Sequence, residues 1–363
     1  VFFILGTRPE IIKFSPVISA FQNQLDVSIV HTGQHFSYEM DRIFFEELEL
    51  PIPAFHLDTG SGSHGEQTGR MLAGLDDLFS RENPALVVVL GDTNTTLAGA
   101  LAAAKLGIPV AHIEAGCRSF NRAMPEEINR VVADHLSDLL FAPDGQAVKN
   151  LTKEGFPSGR IFQVGSTGVE ACRLHAQLAG KRWPVDWGLQ ERQYLLATIH
   201  RAETVDRPER LRSILEALAE LPPTMPLLLP LHPRTALRAK EEGLSFPPNI
   251  RILPPQGYLE FLTLLDRSLM VLTDSGGVQE EAATLGIPYL VLREETEWQE
   301  YIERGQGKIV GWEKDRIVQE AKNLLEHPSL LAGMRHVDTA SLERPSAEIL
   351  KVIQAFLAGL PVQ

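Results

Sequence analysis

Three carboxylates stand where a folded chain has little structural use for them. Glu114 ends the apolar run at 109–113 and opens a loop rich in Gly, Arg and Asn. Glu126, the first of the pair Glu126-Glu127, follows Pro125 at a helix start, and Asp92 closes another apolar run, LVVVLGD. Buried parallel strands favour Val and Ile, and their carboxyl ends in open α/β sheets are where ligands bind. Singly, the acids have bland explanations. Asp92 can cap the helix that starts near Thr93, and an acid in a first helical turn, as Glu126 is, complements the helix dipole. Glu114 fits neither, because HIEAG places it at a strand end ahead of a Gly. Together, at neighbouring strand ends, the three form an acid/base set for proton transfer on an anionic substrate.

Two further stretches suit that anion. GTRPEIIK, residues 6–13, follows the first strand and opens a helix, so Arg8 and Lys13 can join the free N–H groups of the helix start in holding a phosphate. Asp274-Ser275-Gly276-Gly277 lies where the strand LMVLT gives way to the helix VQEEAATLG. Capping accounts for Ser275 alone. It needs neither glycine, whereas a diphosphate approaching backbone N–H groups needs both. Glu281, one turn on, is placed to accept from ribose hydroxyls, or simply to be a solvated acid. His200 in ATIHRAET ends a strand of the second half, beside Arg201 and Glu203, and is expected to bring positive charge into a cleft; His232 in PLHPRT is placed similarly. His31 and His112 fall inside strands and read as satisfied core residues. GSGSHG, residues 60–65, has dinucleotide-motif spacing, but the preceding PIPAFHLD carries two prolines and reads as loop. It is expected to be a mobile surface loop, and no NAD is implied. The histidines lack metal-ligand spacing, no GxSxG elbow is present, and Cys117 is expected to pack rather than attack.

The elements that must position these residues alternate along the chain as apolar runs and helical patterns, the signature of parallel βαβ units. Strands are expected at 1–5, 27–31, 85–90, 109–113, 139–141 and 161–164, then at 194–199, 226–231, 250–253, 269–273, 288–292 and 307–310. Helical periodicity marks 11–21, 94–106 and 347–357 among others. The chain's 363 residues exceed what one core usually serves. The Pro, Gly and Trp content of 179–192 places the linker there. The expected division is a Rossmann-like domain at 1–178 carrying the carboxylates and a second at 179–345 binding the nucleotide. A helix at 346–363 can pack on either. The fold class is α/β, two doubly wound Rossmann-like domains facing across a cleft.

Composition removes other classes. Hydrophobic content of 44% and charged content of 22% are ordinary for a globular protein, and no run of eighteen apolar residues exists. A net charge of −13 argues against nucleic acid and anionic membranes as partners, so any phosphate must meet local donors. VFFILG is too short and uncharged for a signal peptide and reads as a first strand, with an initiator Met and a residue or two expected ahead of it. Two distant cysteines, Cys117 and Cys172, suit a reducing cytoplasm.

Taken together, GTRPEIIK, HTGQH, GDTNTTLAGALAA, HIEAGCRS, MPEEINR, HRAE, TDSGGVQEEA and LREETE, from Gly6 to Glu297, resemble the non-hydrolysing UDP-N-acetylglucosamine 2-epimerase family. The resemblance implies a GT-B fold, a homodimer, and reversible inversion at carbon 2 of a UDP-linked N-acetyl hexosamine without NAD, metal or other cofactor. UDP is eliminated to leave a 2-acetamidoglucal and then re-added, with closure of the domains shielding the intermediate from water. By matching motifs, Asp92, Glu114 and Glu126 take the acid/base roles and His200 contacts the diphosphate. Ser275, Gly276 and Gly277 bind phosphate, Glu281 the ribose, and Gln256 and Phe261 lie near the uracil. Two segments depart from the common pattern: Thr296-Glu297-Trp298 replaces TERPE, and His232-Pro233-Arg234-Thr235 replaces HLNP. These, with GSHGEQTGRML and SFN, look more like relatives acting on UDP-2,3-diacetamido-2,3-dideoxyglucuronate, whose carboxylate Arg234 can pair. A hydrolysing epimerase, a glycosyltransferase of the same fold and a non-enzymatic nucleotide-sugar sensor are the competing readings. The three acids favour the epimerase over the last two.

Overall fold

A computed structural model of the chain describes residues 1–33, 38–182, 188–296, 298–335 and 344–360. Gln34 and His35 of HTGQH, residues 183–187 of the expected linker and Glu297 lie outside the described residues. Contacts gather the chain into two compact units, Val1–Ala171 with Ala340–Gln363, and Cys172–Thr339. This division falls inside the helix Thr167–Arg182 rather than at 179–192. Periodicity marks a continuous helix but not which core each of its turns serves.

The first unit is built on seven parallel strands: β1 (Phe2–Leu5), β2 (Ser28–His31), β3 (Phe55–His56), β4 (Val87–Leu90), β5 (Val110–Ile113), β6 (Leu139–Ala142) and β7 (Ile161–Gln163). Their order is β3-β2-β1-β4-β5-β6-β7. PIPAFHLD was expected to be loop, yet it supplies β3. Two residues carry too little alternation to be read, and the prolines ahead of them are tolerable at a sheet edge. The second unit has six parallel strands, β8 (Leu195–Thr198), β9 (Leu227–Pro230), β10 (Ile250–Leu253), β11 (Met270–Thr273), β12 (Tyr289–Val291) and β13 (Gly307–Ile309), ordered β10-β9-β8-β11-β12-β13.

The strands are apolar on both faces because helices flank the sheets. Val87, Val88 and Val89 are wholly buried, as are Val110 and Ala111 beside them. Phe3 meets Phe14 and Phe21 edge-on, with ring centroids 5.4 and 5.2 Å away, which seats the helix Arg8–Phe21 on the sheet. The C-terminal helix Pro345–Leu357 packs on that same helix, and Ser346 donates its N–H and hydroxyl to Glu170 at 2.9 and 2.7 Å. No described helix is long and apolar enough to cross a membrane. In each sheet the strand order reverses at one place, between β1 and β4 and between β8 and β11. Crevices at such reversals are where α/β sheets take ligands.

Candidate active site

In the first unit β4 and β5 run in register, Leu90 opposite Ile113, so the residues that follow them emerge at one level. Asp92 lies in the turn after β4. Thr93, not Asp92, caps the helix Asn94–Lys105, through a reciprocal pair of bonds with Thr96. Capping therefore does not account for Asp92, whose carboxylate pairs with Arg130 while its carbonyl accepts from Asn129 Nδ2 at 2.9 Å. Glu114 follows β5 with φ of +68°, a left-handed backbone rare for a non-glycine residue. Its carboxylate accepts from Lys13 Nζ at 2.7 Å. Glu126 is the second residue of the helix Pro125–Leu136. It shares with Asp92 the lining of a cavity of about 440 Å³, walled also by Gln67, Asn94, Asn129, Ser61, Gly62 and His64.

Glu127 is a different kind of acid. It is buried and accepts from Ser119 N and Phe120 N at 2.9 Å, from the Ser119 hydroxyl at 3.0 Å and from Arg130 at 2.9 Å. Burial opposes its charge, but these bonds outweigh burial and hold its carboxyl below the usual range. Glu127 thus anchors the loop after Glu114, and Glu126 faces the cavity. Adjacent helical positions point about 100° apart, which separates the two roles.

The helix start at residues 6–13 already holds a carboxylate. Glu10, 2% exposed, accepts from Gly6 N and the Thr7 hydroxyl at 2.9 Å and from the Thr93 hydroxyl at 2.6 Å. Burial pushes its carboxyl above the usual range. Lys13 reaches Glu114, and the Arg8 guanidinium lies 4.6 Å from the Phe44 ring centre. GSGSHG is exposed, as expected of a surface segment, but its end already belongs to a helix. Ser63 caps the helix His64–Glu82 in a capping box with Glu66, and Gln67 donates to the Gly60 carbonyl at 2.9 Å. The segment is bonded into the cavity wall, a role that its resemblance to a dinucleotide motif concealed.

In the second unit Thr198 and Thr273 are opposite in register, their hydroxyls 2.6 Å apart, so Asp274 and His200 also emerge together. Asp274 is wholly buried and accepts from the backbone N–H of His200 at 3.0 Å and of Arg201 at 2.9 Å. Ser275 holds the N-cap position of the helix Gly276–Leu285, but its side chain makes no capping bond. A Cβ at Gly277 would meet no atom of the described residues within 4 Å, so packing among them gives no reason for a glycine there. His200 departs from expectation: burial holds it below the ordinary histidine value despite Asp274, so it is neutral at neutral pH. His232 is itself a cap, its Nδ1 accepting from Arg234 N at 3.1 Å. Gln256 donates to the Pro254 carbonyl at 2.6 Å, and Phe261 packs half-buried on the core. Both follow β10, which β9 and β8 separate from β11. Glu281 is half-buried on the Gly276–Leu285 helix.

A family model described as UDP-N-acetylglucosamine 2-epimerase matches residues 19–353. The chain belongs to the UDP-N-acetylglucosamine 2-epimerase family. A relative from Methanocaldococcus jannaschii bearing that name is 48% identical over 333 residues, covering 89% of this chain and 91% of its own length. A UDP-2,3-diacetamido-2,3-dideoxy-D-glucuronate 2-epimerase from Pseudomonas aeruginosa is also 48% identical, over 327 residues with the same shares covered. The crystal structure of the M. jannaschii UDP-GlcNAc 2-epimerase, in complex with UDP-GlcNAc and UDP, matches with a TM-score of 0.82 and 44% identity, covering 97% of this chain and 99% of that one. As a member of the family the chain is an enzyme, an isomerase, and its two parallel sheets with flanking helices follow the GT-B plan.

Several groups of this epimerase carry little local sequence signature of their place in the site. Arg130 joins Asp92 to Glu127, and Asp134 binds His112, Gly116 and Arg118. Glu127, Arg130 and Asp134 recur at helical spacing on a face that ought to be apolar, which was the available signal. His112 is satisfied, as expected, by Asp134 at 2.7 Å and the Gly91 carbonyl at 2.8 Å. Burial pushes the Cys117 thiol up to about 12, with Glu114 and Asp144 adding to it, which leaves no nucleophile at neutral pH.

Proposed function

We propose that this epimerase reversibly interconverts UDP-N-acetylglucosamine and UDP-N-acetylmannosamine by elimination and re-addition of UDP. The observation that carries the reading is the convergence of acids in the first unit. Asp92 and Glu114 leave adjacent strands at one level, and Glu126 lines Asp92's cavity. A carboxylate removes the proton from carbon 2. The C–H electron pair becomes the carbon 1–carbon 2 double bond, and the carbon 1–oxygen bond breaks with its pair leaving on UDP. Re-addition of UDP with proton delivery to the opposite face gives the epimer.

Elimination loads negative charge on the diphosphate, which calls for donors placed in advance. Ser275, Gly276 and Gly277 offer the start of their helix, and His200 becomes a donor by taking up a proton beside the anion. Glu281 takes the ribose, and Gln256 and Phe261 the uracil. Lys13, bonded to Glu114, balances charge at the proton-transfer centre, and Arg8 serves the substrate side of the same helix. The uncharged hexosamine is favoured over the diacetamido-uronate because Arg234, the residue placed to pair a sugar carboxylate, donates to Asp206 instead. The working form is taken to be a cytoplasmic homodimer in polysaccharide biosynthesis.

Incubation with UDP-N-acetylglucosamine in deuterated water tests the reading: deuterium at carbon 2 with UDP still attached is expected by NMR. Release of free sugar would indicate a hydrolysing enzyme, and faster exchange on the diacetamido-uronate would reassign the substrate. Asp92→Asn and Glu114→Gln should abolish exchange while calorimetry still detects UDP binding. Near-normal turnover in either would remove that residue from the acid/base set.

A further inference from the structure

Beneath the two acid-bearing turns lies a buried pair that the proposed chemistry does not use. His112 belongs to β5 and Asp134 to the helix Pro125–Leu136, and neither is exposed at all. His112 Nδ1 is 2.7 Å from Asp134 Oδ1, and its Nε2 is 2.8 Å from the Gly91 carbonyl oxygen. The other Asp134 oxygen accepts from Gly116 N at 3.1 Å and from Arg118 Nη2 at 2.6 Å. Gly91 immediately precedes Asp92, and Gly116 follows Glu114 by two residues. A single chain of bonds therefore runs from the turn of one acid to the loop of the other.

That loop is held from its far side as well. Asn150 Nδ2 donates to the Gly116 carbonyl at 3.0 Å, and Ala115 N donates to the Phe141 carbonyl at 3.1 Å. Between these anchors Glu114 keeps its left-handed backbone, a conformation that persists only where the surroundings impose it. A carbonyl and a carboxylate can only accept, so both ring nitrogens of His112 must donate, and a ring with two donors is an imidazolium. Burial alone would strip that proton, but Asp134, the Gly91 bond and Glu114 outweigh it, and the ring stays above the ordinary histidine value.

We propose that His112 is a positioning residue: an imidazolium strut between Gly91 and Asp134 that sets Asp92 against Glu114. The inference rests on the acid/base assignment above. The Gly91 bond would satisfy a buried ring in either role, but a pair kept for stability alone, once cut, lowers stability and leaves the kcat of the folded enzyme unchanged. A site whose geometry depends on the strut loses turnover when either end is released, at nearly unchanged substrate affinity.

Two variants separate the ends. His112→Asn places an amide near the Nδ1 position and gives up Gly91; His112→Gln reaches toward the Nε2 position and gives up Asp134. Each is expected to lose roughly 10- to 100-fold in kcat for carbon-2 deuterium exchange with UDP-N-acetylglucosamine, the size that a misplacement of about 1 Å causes, with KM nearly unchanged. Asp92→Asn and Glu114→Gln are assayed alongside. If those two keep their turnover, the acid/base reading has failed. If they are inactive while both His112 variants retain the parent kcat, the strut is wrong and the acid/base reading stands. Should the His112 variants not fold, NMR of the unaltered protein with isotope-labelled histidine decides. One ring with two slowly exchanging N–H protons at neutral pH is expected, and the absence of any such ring overturns the proposal.

Discussion

Gly116 is where the acid/base loop can be disturbed without touching an acid. Its φ is +80°, and a Cβ there would stand 2.4 Å from the Ala147 carbonyl oxygen and 2.8 Å from Leu151 Cγ. Left-handed backbone costs a non-glycine residue roughly 1–2 kcal/mol. Forcing a methyl group into a packed site costs roughly 1–3 kcal/mol more. The obstructing carbonyl belongs to the helix Gly145–Lys153, so the loop rather than the helix must give, by about 1 Å to reach ordinary contact. Gly116→Ala is therefore expected to destabilise the first unit by about 2–5 kcal/mol. That is a large share of the roughly 5–15 kcal/mol that holds a domain folded. Glu114 moves with the loop, and a displacement of that size lowers turnover by about 10²-fold. Urea unfolding reads the first effect and carbon-2 deuterium exchange the second. Gly69→Ala is the matched control, because Gly69 is exposed within the helix His64–Glu82 and its new Cβ meets no described residue within 4 Å. It should gain up to about 1 kcal/mol and keep full turnover. A Gly116→Ala protein within about 0.5 kcal/mol of its parent, exchanging at the parent rate, would refute the account of how Glu114 is held.

Gly277→Ala should leave thermal stability unchanged or slightly higher, since its Cβ meets no described residue, yet weaken UDP binding about tenfold or more by calorimetry; unchanged affinity would remove this helix start from the phosphate site. His200 lies below the ordinary histidine value because it is buried, and an arriving diphosphate favours its charged form. UDP binding near neutral pH should therefore take up a proton, seen as a buffer-dependent binding enthalpy that disappears in His200→Asn. The His112–Asp134 pair gives stability a defined pH window. His112 is raised, so its contribution is complete below the ordinary histidine value and fades as pH climbs through the folded one. Asp134 is lowered, chiefly by His112 and Arg118 acting against burial, so its contribution is complete above the ordinary carboxylate value and fades as pH falls through the folded one. Urea midpoints measured across pH should show both limbs, and His112→Gln should flatten the alkaline limb; a parent-like limb in that variant would contradict the assignment.

What the chain declares locally is its scaffold and the whereabouts of its chemistry. Runs such as VVVL and VAHI can only be buried strands, and every expected strand is present within a residue or two of its bounds. β3 escaped because two residues cannot show a period. The acids at 92, 114 and 126 stood out because strand ends and helix starts seldom need three of them. Tertiary structure alone decided their partners. Lys13 meets Glu114 across 101 positions and Arg130 meets Asp92 across 38, contacts that exist because β1, β4 and β5 lie side by side. The same packing sent Glu126 to the cavity and Glu127 to the loop, put Glu10 where a phosphate was expected, and left His200 neutral. Local pattern reports what a residue is and which element carries it. Charge state and partner depend on burial and on distances across the sheet, and those arise only when distant strands are brought together.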